Sequence, residues 1–368
     1  MNKELLINKQ IELEELFENS QNRLFFQSSD LSFSSIADMV ESKAIDIEPK
    51  YQRRERWTIQ KQSALIESFI LNVPIPPIYL AEHAYGRYSV IDGKQRITAI
   101  YKFIKDNLKI TGLDKSEALN DFTYKDLPDS LSNALKIRPF LRVIILLKQS
   151  DPSLKYEVFN RLNTGGDNLL PQEVRNAMFE GKFNDLLIEL SENEMLVKYL
   201  VSSLETYPKS TVYKEMQDVE YVLRFFTVKH FWQDFPCNNM QIAMNLYMRN
   251  ISESMSDLEL EKKKKLFNKS LEICNLIWED KTFQRPDGSK KIIQGIYDSQ
   301  MVSVAKYIEE GRADDLIQHK AQIFSKFTNT YTADQIYQNS MRQFTSNANN
   351  VKKRIEKTIE LIGSIINE

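Results

Sequence analysis

Histidine and cysteine are scarce in this chain, and their scarcity removes whole classes of chemistry. His83, His230 and His319 stand far apart with no cysteine beside them, so the spacing composes no Cys/His ligand set for zinc, and the expected number of metal-ligating residues is none. Cys237 and Cys274 lack CxxC spacing, which argues against a disulfide framework and fits small buried hydrophobes in a reducing cytosol. With 10 glycines and 11 prolines in 368 residues, there is no low-complexity linker, and no internal repeat stands out. Neither sign of charge dominates: the net charge is −2, so any contact with nucleic acid falls to a local patch. No apolar run approaches the roughly 20 residues of a membrane span. The opening Met-Asn-Lys-Glu-Leu carries no secretory core, so the expected setting is cytoplasmic, without a membrane partner. A Walker A loop, a GxGxxG fingerprint and a GxSxG elbow are all missing.

What remains is an ordinary globular composition, 42% hydrophobic and 27% charged, long enough for two or three domains. One stretch organises it: Tyr88-Ser-Val-Ile-Asp-Gly-Lys-Gln-Arg-Ile97 and its continuation to Ile104. Tyr88–Ile91 reads as a buried strand, Asp92-Gly93 as a break, and Ile97, Ile100, Tyr101 and Ile104 as the apolar face of a helix. The polar run therefore falls where a strand hands over to a helix N-terminus. Orphan amides and the positive end of the helix dipole favour an anion there. Lys94 and Arg96 add two cations to a first turn that ordinarily prefers acids. The plainer alternative is that Arg96 pairs with Asp92 or another carboxylate.

Upstream, Leu13, Leu16 and Phe17 among glutamates read as an acidic helix, followed by a polar connector to residue 29. Ser34–Ser42 reads as a short helix. The segment after Pro49 then gathers Tyr51, Gln52, Arg53, Arg54, Arg56 and Trp57 on irregular backbone, which suits a phosphate and a stacked base or sugar. For Trp57 alone, capping the core is the preferred reading. Thr58 is placed as N-cap of a helix through Asn72. Pro74-Ile-Pro-Pro77 stops that helix and leads into the strand Ile78–Leu80, and Ala84-Tyr-Gly-Arg87 turns the chain back to Tyr88.

Downstream, 113–138 reads as helical or irregular, Phe140–Leu147 as a buried strand, and Tyr156, Val158, Phe159 and Leu162 as one helix face. Asn160-Arg-Leu-Asn-Thr-Gly-Gly-Asp167 follows, then a helix carrying Glu173, Val174, Arg175 and Ala177. Arg161 and Asn163 beside the glycine pair are candidates to complete a phosphate and ribose pocket. On residues alone, a glycine C-cap with Asn163 bonded to its own turn is the better reading. From about 182 onward the periodicity is almost wholly helical, as in a bundle. Lys262–Lys265 reads as a solvated helix face and Gln284–Lys291 as a turn with basic ends.

Taken together, Pro49-x-Tyr51-Gln52-Arg53, Trp57, the Pro-Ile-Pro segment, Asp92-Gly93-Lys94-Gln95-Arg96 and the Asn163-x-Gly-Gly turn resemble the N-terminal domain of GmrSD-type restriction systems. More distantly, Gly93-x-x-Arg96-x-x-Ala99 is similar to the ParB/sulfiredoxin-like fold, whose turn and helix start hold nucleotide phosphates. Arg224 within Tyr221–Phe226 also fits the family weakly. Lys94 stands where the family usually has glutamine. Many relatives add an HNH nuclease domain, which needs histidines that this chain does not cluster.

The resemblance implies an α+β chain: a helix and connector over 1–29, a ParB/sulfiredoxin-like domain over 30–181, and a mostly α-helical region over 182–368. It implies a nucleoside triphosphate as substrate or effector, in defence against foreign DNA; phosphate chemistry, and no visible ligand set, adds Mg2+ as the companion ion. Asp92, Gln95 and Arg96 would be catalytic, and Tyr51, Gln52, Arg53, Gly93, Lys94, Arg161 and Asn163 would bind phosphate or nucleotide. Two other readings stand beside hydrolysis. One is a non-enzymatic nucleotide or DNA sensor whose helical region docks a separate nuclease or self-associates. The other is a DNA-nicking nuclease that uses the same Asp-Gly-Lys-Gln-Arg turn.

Overall fold

Alternating apolar residues in four short segments build one mixed sheet in the first half of the chain. The structure, a computed structural model, describes residues 9, 12–15, 17–18, 23–47, 57–105, 108–138, 141–162, 170–179, 181–251, 255–288 and 291–367. The chain divides into two compact units, Met1–Met178 and Phe179–Glu368.

In the first unit the strands are β1 (Phe26–Leu31), β2 (Ile78–Ala84), β3 (Arg87–Asp92) and β4 (Leu141–Leu146), ordered β1-β4-β2-β3. β1 runs antiparallel to β4 and β3 antiparallel to β2, whereas β2 and β4 are parallel. The parallel pair requires a crossover, and the chain supplies it with helices. One face of the sheet is covered by α1 (Phe33–Glu41), α2 (Ile59–Ile70), α3 (Lys94–Lys105) and α4 (Asp129–Ile137), whose apolar side chains pack on Leu80, Val90, Val143 and Ile145. The opposite face, Ala81, Ile91 and Leu146, lies under Phe159 of α5 (Pro152–Leu162) and Val174 of α6 (Pro171–Met178). Successive strand residues point to opposite faces, so Val90 and Ile91 serve different layers.

The helix starts follow the sequence closely. Ser32 caps α1 by accepting from Ser35 N at 3.2 Å, and Thr58 caps α2 by accepting from Lys61 N at 3.3 Å. The reading of 113–138 resolves into two 3-10 turns, Glu117–Leu119 and Tyr124–Asp126, followed by α4. One reading is corrected: the polar connector that was to end at residue 29 instead runs into β1. Phe26-Gln-Ser-Ser-Asp-Leu31 is exposed at most positions, so it carries no burial signal. Its partner makes it a strand, through backbone pairing with β4 and the fork of Arg142 onto Asp30 at 2.8 and 3.0 Å.

The second unit is helical among its described residues: α7 (Lys182–Ser191), α8 (Glu194–Leu200), α9 (Thr211–Lys214), α10 (Gln217–Phe231), α11 (Met240–Ile251), α12 (Asp257–Trp278), α13 (Gln294–Glu309), α14 (Ala313–Gln318), α15 (Lys320–Ala333), α16 (Gln335–Arg342) and α17 (Ala348–Ile366). α13 is buried around almost its whole circumference, as a central helix must be. Ala313–Ala333 forms two helices and not one, because His319 leaves helical angles (φ −99°, ψ 17°). Leu316 and Ile323 are both buried at a spacing that a continuous helix would share, so periodicity could not reveal the break. No described helix is long and apolar enough to cross a membrane.

Candidate functional site

The turn at the end of β3 is built from a conformation that only glycine holds without strain. Gly93 has φ +98°, and a Cβ on it would come within 2.8 Å of Ile78 Cγ1 and 3.3 Å of Arg96 Cζ. Directly after it, α3 begins, with its first hydrogen bond from Ile97 N to Gly93 O at 2.9 Å. The amides of 94–96 therefore precede the first intrahelical bond, where a helix presents donors and positive potential. Burial of Ile97, Ile100 and Phe103 fixes the helix axis against the sheet, and so fixes where those amides point.

Arg96 is committed to the protein. Its Nη2 donates to Asp92 Oδ2 at 2.7 Å, and its Nη1 donates to Pro77 O at 3.1 Å and to Pro76 O. The plainer of the two sequence readings thus describes part of its role. The Pro74–Pro77 segment cannot join a backbone ladder through its proline nitrogens, and the guanidinium satisfies two of its carbonyls instead. The Arg96 side chain is 11% exposed, while Asp92 remains 39% exposed. One member of this ion pair is a buried fastener and the other faces solvent.

Gln95 binds the turn to the arginine-rich segment. Its Oε1 accepts from Trp57 N at 3.3 Å, and Gln62 Nε2 donates to Trp57 O at 3.1 Å, so the Trp57 backbone is held on both sides. Trp57 itself packs half-buried on the core, as its preferred reading had it. Tyr51, Gln52 and Arg53 lie outside the described residues, but the chain on either side of them is held, by β3 before and by the start of α3 after. Ile45 bridges Tyr88, and Trp57 meets Gln95.

Arg161 behaves differently. It sits on α5, in the layer on the other face of the sheet, where its side chain is 78% exposed and ion-pairs with Glu157 at 2.8 Å. Asn163 and the glycines after it lie outside the described residues. Beyond them, α6 buries Gln172, Glu173, Arg175 and Asn176, each no more than 1% exposed. Arg175 Nη1 donates to Gln172 Oε1 at 2.8 Å, Gln172 Nε2 to Asn176 Oδ1 at 2.9 Å, and Leu170 N to Glu173 Oε2 at 2.8 Å. Four buried polar side chains on one eight-residue helix are expensive unless their bonds hold a geometry. This network, packed against β3, was not among the expected site residues. Glu173 and Arg175 were read from the sequence as part of the helix after the glycine turn, but nothing local marks Gln172 and Asn176 as their buried partners.

Among the described residues no group of three His, Cys, Asp or Glu converges as a metal cage. The architecture and the turn together define an α+β domain whose polar centre is a strand–glycine–helix junction. Residues 36–180 match the GmrSD restriction endonuclease N-terminal domain, and this stretch of the chain is similar to that family. The match relates this stretch to restriction systems. No curated protein and no solved structure matches the chain.

Proposed function

We propose that the first unit binds a nucleoside triphosphate at the Asp92–Arg96 turn and hydrolyses it in the service of restriction. The observation that carries this reading is the Gly93 turn. Its positive φ turns the chain so that the backbone donors of 94–96 stand at a helix start, the geometry that elsewhere holds phosphates. Lys94 supplies the charge at the first helical position, and Gln95, oriented by Trp57 N, positions the attacking water. Arg96 acts as a positioning residue, because its hydrogen bonds go to Asp92 and two carbonyls. Arg53 is assigned a phosphate contact by the family resemblance, and no geometry is assigned to it.

Asp92 suits Mg2+. It is half-exposed with one oxygen held by Arg96, and Mg2+ typically takes one or two carboxylates and completes its shell from water and substrate phosphates. Bound there, Mg2+ would neutralise phosphate charge. The chain's own contribution is positioning and electrostatic stabilisation of the transferred group.

The test is phosphate release from ATP, GTP, CTP and UTP with Mg2+, with and without DNA, beside Gln95→Ala and Asp92→Asn. Turnover of one nucleotide that both variants lower by about a hundredfold supports the reading. Binding without turnover identifies a sensor that works with a separate nuclease. Plasmid nicking abolished by the same variants, in the absence of nucleotide binding, identifies a nuclease at this turn.

A further inference from the structure

The four lysines 262–265 do not form one solvated face. Lys264 turns to Glu189 of α7. Lys263 folds back over three rings, with Nζ 5.1 Å from the centroid of Phe226, 5.6 Å from Tyr247 and 5.9 Å from Phe183. Its hydrogen bond goes to the neutral Tyr247 Oη at 2.9 Å, not to a carboxylate. Burial, then the charge of Lys229, lower its pKa against the pull of Glu309 and Glu259, while the aromatic faces favour the ammonium form.

Beside it opens a pocket of about 510 Å³ between α10, α12 and α13, lined by Lys229, His230, Lys262, Lys265, Lys269 and Glu309 as well as Lys263. Glu309, the one carboxylate of the lining, is already paired with Lys229 at 2.8 Å. Lys265 and Lys269 reach outward to Glu261 (3.7 Å) and Glu272 (3.1 Å), exposed pairs that a multivalent anion can displace. Five lysines and one carboxylate thus line a cavity of small-ligand size whose floor is the apolar Phe226, Leu266 and Ile308.

We propose that this pocket is a binding site for phosphate groups, drawn either from a free polyphosphate or from a nucleic-acid backbone. Lysine is the point-charge donor for such groups. The rings beneath Lys263 are buried and offer no stacking face, so the site reads phosphates and not bases. It lies wholly within the second unit and is independent of the nucleotide reading of the first.

His230 is a built-in reporter. Burial, then the charges of Lys263 and Lys229, hold its imidazole below the usual range. The experiment follows the three histidines of the full chain by NMR at physiological ionic strength while pH is varied, alone, with tripolyphosphate, and with a short duplex DNA. A seated anion raises the His230 pKa by about one unit, with His83 and His319 unmoved. Lys262→Glu with Lys265→Glu, both exposed, weakens that response by about tenfold in anion concentration. A response to tripolyphosphate alone assigns a free polyphosphate, and one to duplex alone assigns a backbone. The proposal is overturned if neither anion moves His230, if all three histidines move together, or if the charge-reversed variant responds as the unmodified chain does.

Discussion

Arg96 meets Asp92 at the rim of the first unit, whereas Arg224 and Arg354 meet Asp298 inside the second. Both clusters join guanidinium to carboxylate at 2.5–2.7 Å, yet their surroundings make them different devices. Arg224 forks both oxygens of Asp298, and Arg354 adds a bond to Oδ2 and others to Ser340 O and Thr345 O, with every side chain 4% exposed or less. Burial, only partly opposed by Asp298, pushes Arg354 down to about 10. At the rim, the same chemistry leaves its carboxylate in solvent beside a helix start. The residue pair therefore does not mark a site. Only the rim pair leaves a partner facing solvent, and Arg224, which fits the family pattern weakly, holds the helical unit together.

The sharpest break in this comparison is Asp298→Ala. It leaves two buried guanidiniums without their counter-charge and is expected to destabilise the helical unit by about 3–5 kcal/mol. Chemical denaturation measures the loss, and a change below 1 kcal/mol would refute the keystone role. Asp92→Ala, at the rim, is expected to lower stability by less than about 1 kcal/mol.

A third aspartate sharpens the contrast because it is buried without an arginine. Asp218 is 2% exposed, and burial raises its carboxyl to about 6, against the hydrogen bonds from Tyr207 and Val219 N. A folded pKa above the unfolded value means that the native state binds the extra proton between about pH 4 and 6. This group's contribution is thus complete below pH 4 and lost as pH rises through 6, an effect of roughly 2–3 kcal/mol. Denaturant midpoints across that range should fall with rising pH more steeply in the unmodified chain than in Asp218→Asn. Equal slopes would show that burial there is not felt.

Gly93→Ala probes the rim from the backbone side. The positive φ and the 2.8 Å approach to Ile78 predict a loss of about 1–3 kcal/mol, together with loss of nucleotide binding. Retained binding at unchanged stability would remove the turn from consideration. The smallest effect belongs to Lys94→Gln, which restores the family's usual residue. Stability should stay within about 0.5 kcal/mol, while nucleotide affinity, measured by calorimetry, falls by up to about tenfold.

The junction itself was legible because three signals coincide within it: β-branched residues before Asp92, a glycine, and a 3.6-residue apolar period after Lys94. The cap Thr58 and most of the helical half were legible by the same local rules. What stayed hidden depends on partners distant in sequence. β1 has no apolar alternation, and only β4 makes it a strand. The network on α6 looks like a solvated face until β3 is laid against it. The inward turn of Lys263 is invisible in a run of four identical residues, since only the three rings distinguish it from its neighbours.

The place of β1 also says something about how the first unit comes to exist. Phe26 lies opposite Leu146 and Leu31 opposite Leu141, so the first strand of the sheet waits for the last. During synthesis at about 5–20 residues per second, that edge of β4 stays unpaired only if the earlier strand is missing, whereas β1 idles until β4 emerges. Long-range pairing of this kind slows folding and makes the unit an all-or-nothing object in sequence. Its working boundary therefore falls before residue 26, ahead of the matched stretch that starts at 36, and any fragment cut at the family boundary exposes the full edge of β4.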